Sequence, residues 1–436
     1  MASEPQQQLP AVHEAWLPRE HALHRPRHGG RQLTALVSAL LFFTTPALLW
    51  VFGVRPGEIE NHKLASFPSV ASGWSFFTDL PTWAVDQLSF RGGAIAAADG
   101  ISRGLFGEDA PLDQSLPPLA GPIPVAPPPA QPKTAPAPTG SPNSQAGYRR
   151  VVQGLDGWLY YGYDADAKCE PSRELSETID KINELRNAVE KSGRKFEFVI
   201  APDKSTIVPQ FLPGTYPGKD CAQAAQATTW NRLTTETGAL DLRPELKASE
   251  GRIGHPIYPS NDTHWLDEGG LVMTRGIANA IQPGITRSWL STPVGKYDTA
   301  ADLPPLINKQ GTKTNTLYSL MPDGVVERAG EPNGDIDRPV YRSASPLLGT
   351  VNQKTLIYGD SFTKASSRYL SGAFTNLTML AHFTQKTSRA EAVDEFVNAQ
   401  VVVVEAVERS VAGGQLAFID DGFLSAVKPA LAAHPR

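Results

Sequence analysis
The chain has 436 residues, a net charge of −5 and 41% hydrophobic residues, enough for one large domain with attachments. This balance leaves no basic footprint, so nucleic acid is excluded as an expected partner. Its two cysteines, Cys169 and Cys221, cannot supply a four-ligand zinc site and form no CxxC motif, so no metal is expected. In an oxidising compartment they could close one loop of about 50 residues, worth roughly 4 kcal/mol. The alternative is two buried thiols.

Residues 1–32 are polar, with Arg19, Arg25, Arg27 and Arg31 ahead of an apolar run, and are expected to be a disordered cytoplasmic segment. Residues 33–54 read LTALVSALLFFTTPALLWVFGV, without a charge. At the helical rise this is about 33 Å, enough to cross a bilayer core. The arginines before it and Glu58 and Glu60 after it orient the segment with its N-terminus inside. The expectation is a single-pass anchor in the cell membrane, with everything beyond residue 54 extracytoplasmic. A cleaved signal peptide and a buried soluble helix are the competing readings. The first is disfavoured by the length of the run and the lack of an A-x-A site directly after it. The second is disfavoured by the lack of a polar face.

Residues 55–109 have helical pieces carrying Trp74, Phe76, Phe77, Trp83 and Phe90, and form the expected membrane-proximal helical segment. Residues 110–146 are dense in Pro and Ala, which favours extended polyproline conformations and buries no core. They are read as a linker or insertion. From residue 147 to 436 the pattern alternates. Leu175, Ile179, Ile182, Leu185 and Val189 fall at helical spacing, and Phe196–Ile200 follows as a strand. Thr355–Tyr358 is a second strand and Val401–Val404 a third, apolar on consecutive positions as a strand covered on both faces should be. Helices between parallel strands predict a three-layer α/β/α domain with a mostly parallel sheet. Its site is expected at the carboxyl ends of the strands, where Lys204 and Ser361 fall.

Ser361, in Gly359-Asp360-Ser361-Phe362, sits at a strand-to-helix turn where backbone N–H groups can stabilise an oxyanion. It needs a neighbouring base to act as a nucleophile. The alternative is that Gly-Asp-Ser only turns the chain and caps a helix. The candidate base is His264, in Asp262-Thr263-His264-Trp265. Of the histidines beyond the apolar run, His62, His255, His264, His382 and His434, it has the carboxylate of Asp262 two residues away. In an extended segment, residues two apart face the same way, so Asp262 would orient the imidazole. Asp262 as a cap for the helix over Leu271–Ile281, with His264 on the surface, is the other reading.

The order Asp-Thr-His-Trp, an interval of about a hundred residues, then a strand running into Gly-Asp-Ser-Phe resembles the alginate O-acetyltransferase family of the AlgJ and AlgX type. The resemblance extends to Glu60-Asn61-His62-Lys63-Leu64 and Phe67-Pro68, to Asp86 with Phe90-Arg91, and to Gly154-Leu155-Asp156-Gly157-Trp158-Leu159-Tyr160. It continues in Pro202-Asp203-Lys204-Ser205 and in Val404-Glu405 with Glu408-Arg409. It implies an SGNH-hydrolase-like domain, with Ser361 as nucleophile, His264 as general base and Asp262 as its orienter. Asp360 would shape the turn, and Lys204 would stand at the site edge or be a strand-end surface lysine. The Pro-rich stretch before Gly154 is longer than the family pattern and no carbohydrate-binding module follows, so the chain is nearer the AlgJ type.

The resemblance implies acyl transfer, acetyl being the expected group, to hydroxyls of a cell-envelope or secreted polysaccharide. A multispanning membrane acyltransferase is the implied donor partner, and no cofactor is expected. A carbohydrate esterase with the same triad and a non-catalytic polysaccharide-binding scaffold are the alternatives.

Overall fold
The computed structural model describes residues 30–52, 76, 83 and 150–436, apart from 308, 333 and 334. The expected membrane-proximal segment (save Phe76 and Trp83, both helical) and the Pro/Ala-rich stretch lie outside the described residues. So does the expected cytoplasmic segment, except for its last three residues. The chain divides into two units, Met1–Ala110 and Pro111–Arg436. In the first, helix α1 (Gly30–Val51) covers most of the predicted anchor. Counted over the described residues, no helix is long and apolar enough to cross a membrane.

The second unit is built on a six-stranded sheet. In chain order its strands are β3 (Lys195–Ala201), β4 (Leu240–Asp241), β7 (Val340–Ser343), β8 (Thr355–Gly359), β9 (Asn376–Ala381) and β10 (Val401–Val407). They lie side by side as β4-β3-β10-β8-β9-β7. The five from β4 to β9 are mutually parallel, and β7 closes the edge antiparallel to β9. Two small antiparallel pairs stand apart: β1 (Val151–Gln153) with β2 (Leu159–Tyr161), and the hairpin of β5 (Pro293–Ala300) and β6 (Thr312–Tyr318).

Strand β10 shows why the sheet needs two covering layers. Val401, Val403 and Val407 join one apolar cluster, while Val402, Val404 and Ala406 join the other, as the two-residue side-chain period of a strand requires. The first cluster includes helices α6 (Asp267–Ile281) and α7 (Ser361–Ala373). The second is covered by α3 (Leu175–Lys191) and α10 (Asp421–Ala433). Ile179, Ile182, Leu185 and Val189 of α3 are all buried, so the helical spacing read from the sequence marks the face that packs. The expected α/β/α layering is thus present, with a mixed sheet that is parallel but for one edge strand.

The remaining helices are α2 (Tyr163–Cys169), α4 (Lys219–Thr237), α5 (Arg243–Ile253), α8 (Arg389–Asn398) and α9 (Glu408–Ala412). Cys169 and Cys221 are joined in a disulfide with Cα atoms 5.7 Å apart, which ties α2 to α4.

Candidate active site
Strand β8 delivers the serine. All five of its residues are buried, and it ends at Gly359 directly before Asp360 and the first turn of α7. Gly359 is required by close approach: a Cβ there would lie 2.0 Å from Thr363 Oγ1 and 2.7 Å from Glu405 Oε2. Asp360 caps α7, its Oδ1 accepting from Phe362 N at 2.9 Å and its Oδ2 from Val407 N at 2.9 Å. It therefore ties the turn to the end of β10, in keeping with a turn-shaping part.

Beneath the turn lies Glu405 of β10, fully buried. Its Oε2 accepts from Asp360 N at 3.0 Å, Thr363 N at 3.2 Å and Thr363 Oγ1 at 2.8 Å. Burial, with the nearby Asp360 charge, pushes the Glu405 carboxyl well above the ordinary range despite these donors. Ser361 itself is exposed, and among the described residues its N–H has no acceptor. That N–H sits at the positive end of a 13-residue helix, where negative charge is favoured.

His264 meets this turn from the opposite side. Its Nε2 is 2.8 Å from Ser361 Oγ, and its Nδ1 is 3.0 Å from Asp262 Oδ1. The segment is a turn and not the extended stretch that the residue spacing suggested. Asp262 Oδ1 also accepts from His264 N at 2.8 Å, a side-chain-closed turn of the kind Asp favours. Asp262 does not cap the next helix, because α6 starts only at Asp267 after Leu266. Trp265 is buried edge-on against Phe362, ring centroids 4.7 Å apart. It leaves no room for a side chain at Gly269, where a Cβ would lie 2.4 Å from the Trp265 side chain. The Gly269-Gly270 pair thus lets α6 start against the histidine segment.

Two further charged groups reach the Asp262–His264 pair, and sequence reasoning missed both. Asp302 follows β5, and its Oδ2 lies 3.2 Å from His264 Nδ1. Asp302 also accepts from Thr263 N at 2.7 Å and from the Thr263 hydroxyl, while its own N–H donates to Asp262 Oδ2 at 3.1 Å. Lys313 of β6 places its ammonium 3.1 Å from Asp262 Oδ1. Burial would lower the His264 pKa, but the hydrogen bonds and charges of Asp262 and Asp302 outweigh it and raise it to about 9. Burial would likewise raise Asp262, but bonding to His264 and the charges of His264 and Lys313 hold it well below the carboxylate range.

Asp262, His264 and Asp302 present donor atoms within 4.8 Å of one another, a grouping that could in principle hold a cation. The Nδ1 of His264 can offer a proton to the carboxylates or a lone pair to a metal, but not both. With Lys313 already on Asp262, the geometry suits the protonated arrangement.

Lys204 is not at the site edge. It is 1% exposed and starts a single helical turn, Lys204–Ile207. Its ammonium donates to the carbonyls of Leu159 at 2.6 Å, Ser260 at 2.9 Å and Asp262 at 3.3 Å. Burial pulls its pKa down to about 7 against nearby carboxylates. The side chain therefore pins the backbone that carries Asp262 from behind and has no surface to offer a substrate. His382 stays apart, buried among the Tyr358 and Phe418 rings.

Residues 151–390, more than half of the chain, match the family described as SGNH hydrolase-like domain, acetyltransferase AlgX. The chain belongs to this AlgX-type acetyltransferase family. Asp262, His264, Asp302 and Ser361 all fall inside the matched region, whereas Glu405 lies beyond it.

A curated relative, the probable alginate O-acetylase AlgJ of Pseudomonas syringae pv. tomato, is 26% identical over 195 residues, covering 42% of this chain. The chain spans about half (49%) of that relative's length. Among solved structures, the O-acetyltransferase domain of Pseudomonas putida AlgJ aligns with a TM-score of 0.43 and 16% identity, over 64% of this chain and 98% of that one. Pseudomonas aeruginosa AlgX aligns with a TM-score of 0.41 and 15% identity, over 64% of this chain and 65% of that one.

Proposed function
We propose that this AlgX-family chain is an O-acyltransferase that places acetyl groups on hydroxyls of a cell-envelope or secreted polysaccharide, through an acyl-enzyme on Ser361. The observation that supports this most is the 2.8 Å contact of His264 Nε2 with Ser361 Oγ, backed by carboxylate on Nδ1. In this reading His264 takes the Ser361 proton as Oγ attacks the donor's carbonyl carbon. The oxyanion forms beside the unpaired Ser361 N–H at the head of α7. His264 then returns the proton to the leaving group, and the acetyl group stays on Oγ. In the second half a sugar hydroxyl gives its proton to His264 and attacks the acetyl carbon; as the bond to Oγ breaks, His264 returns that proton to Ser361. Asp262 keeps Nδ1 as the protonated nitrogen, so that Nε2 is the one that exchanges protons.

The cellular setting is part of the same proposal. The uncharged run 33–54, preceded by Arg19, Arg25, Arg27 and Arg31 and followed by Arg55, Glu58 and Glu60, supports a single-pass anchor with the acetyltransferase domain outside the cell. A donor delivered through the membrane by a multispanning acyltransferase suits that arrangement. The curated relative's printed name points to alginate as its acceptor; for this chain the acceptor class is a polysaccharide.

Transfer and hydrolysis use the same residues and differ in whether a sugar hydroxyl or water takes the acetyl group. Purified protein supplied with an acetyl ester donor, with and without oligosaccharide, separates them. Acetylated oligosaccharide as the main product is expected. Free acetate at the same rate in both reactions would reassign the chain as an esterase.

A further inference from the structure
Three pieces of chain must meet for His264 to face Ser361. They are the histidine segment ahead of α6, the serine at the head of α7, and the β5–β6 hairpin that brings Asp302 and Lys313. One buried acid touches all three. Asp267, three residues beyond His264 and the first residue of α6, is 6% exposed. Its Oδ2 accepts from the Tyr297 hydroxyl of β5 and its Oδ1 from the Tyr369 hydroxyl of α7, both at 2.7 Å. The Tyr369 hydroxyl in turn accepts from Tyr318 N of β6 at 3.2 Å, which closes the junction. Among the described residues none of these groups bonds to Ser361 or His264.

The hairpin's register explains how Tyr297 comes to the acid. Thr299 lies opposite Lys313 and Tyr297 opposite Asn315, so Tyr297 and Lys313 point to the same face of the hairpin. That face carries Tyr297 to Asp267 and Lys313 to Asp262. Helices α6 and α7 pack closely, since a Cβ at Gly270 would lie 3.3 Å from Ser366 Cα. Tyr369 is eight residues past Ser361, about 12 Å along α7, so its bond fixes where that helix lies against the histidine segment. A carboxylate with each oxygen committed to a different element cannot follow one without leaving the other. A misplacement of about 1 Å at reacting groups is enough to cost a large factor in rate.

We propose that Asp267 is a positioning residue for acyl transfer, holding the hairpin through Tyr297 and the serine helix through Tyr369 so that Asp302 and Ser361 meet His264 together. The inference rests on the acyl-transfer reading of Ser361 and His264. The two tyrosines then divide by effect: Tyr297 governs the charge at the imidazole, and Tyr369 the approach of the serine hydroxyl. Asp262 and Asp302 face His264 directly, and Lys313 acts through Asp262. Arg409 stands behind the Phe362 ring, and Lys204 behind the Asp262 backbone.

The detergent-solubilised full chain with isotope-labelled histidine tests this by NMR titration, its His264 signal assigned by loss in His264→Gln, beside single-turnover acylation by an acetyl ester. In Tyr297→Phe the hairpin loosens and Asp302 recedes. The His264 pKa should fall from about 9 by about half a unit or more, and the rising limb of kcat/KM should move with it. Lys313 recedes as well, but the direct Asp302 contact with Nδ1 decides the sign. In an Asp302→Asn background, Tyr297→Phe should lower the titration no further, a non-additivity that a mere fold contact would not produce. Tyr369→Phe should slow acylation of Ser361 about tenfold or more, with the titration in place. Asp267→Asn should show both effects. Should it not fold, Tyr297→Phe and Tyr369→Phe carry the test, since Tyr318 still ties β6 to Glu268 at 2.8 Å. The titration needs no turnover, so it reads the placement even where Ser361→Ala is acylated as wild type is and the acyl-transfer reading fails. Lower thermal midpoints with the His264 titration unmoved in Tyr297→Phe, or acylation unslowed in Tyr369→Phe, would overturn the proposal and leave Asp267 a fold contact alone.

Discussion

The two halves of the candidate site are held in place by different physics. Ser361 stands on the sheet: a fully buried strand, a glycine with no room for a side chain, and an acid under the turn that gathers three donors. His264 stands on a turn with no strand under it. Its position is set by charge, from Asp262 within the turn and from Asp302 and Lys313 on the β5–β6 hairpin. Disturbing the first half should be felt as stability. Disturbing the second should be felt as a change in proton affinity with little change in fold.

The largest stability effect is expected at Glu405. Glu405→Leu leaves the Asp360 and Thr363 donors without their acceptor in a dry interior, at a cost of about 3 kcal/mol or more, whereas Glu405→Gln keeps an acceptor oxygen and should cost far less. The sign of the pH effect also follows. A carboxyl with a raised folded-state pKa binds more protons folded than unfolded, so its contribution falls as pH rises from about 4.3 through the raised value. Thermal midpoints measured from pH 5 to 8 should therefore decline relative to those of Glu405→Gln, which has no such proton. Parallel midpoints for the two proteins would remove Glu405 as the acid beneath the turn.

A smaller effect, and a sharper one, is expected on the histidine side. With its pKa raised to about 9, His264 is mostly protonated at neutral pH, so kcat/KM for acyl transfer should climb with pH up to about 9. Asp302→Asn removes one of the two carboxylates and should move that limb to lower pH. Lys313→Met removes the cation that competes for Asp262 and should move it to higher pH. Opposite shifts with near-wild-type melting would support electrostatic positioning. Loss of fold in both variants, or shifts in the same direction, would show the hairpin acting as scaffold alone.

This contrast also explains what was legible from residues alone. Consecutive valines at 401–404 and the apolar run into Gly359 signalled a doubly covered sheet, because such strands follow a local rule that any window of sequence displays. Asp262 and His264 were found because they lie two residues apart, although the turn that joins them is not the extended segment the spacing suggested. Asp302 and Lys313 had no such signal. Each is an ordinary charged residue about 40 to 50 positions away, and only the fold of the β5–β6 hairpin brings Asp302 to the imidazole and Lys313 to Asp262. Lys204 misled for a related reason: its place at a strand end was read correctly, but its burial depends on three carbonyls contributed by distant segments.

The central claim is that Ser361 carries the acetyl group between donor and acceptor. The most direct measurement is mass spectrometry of the protein after acid quenching from an acetyl ester donor, with the modified peptide sequenced. One acetyl group on the Ser361 hydroxyl is expected, absent from Ser361→Ala and discharged when oligosaccharide is added before the quench. Acetylation that persists unchanged in Ser361→Ala, or maps to another residue, would contradict the account.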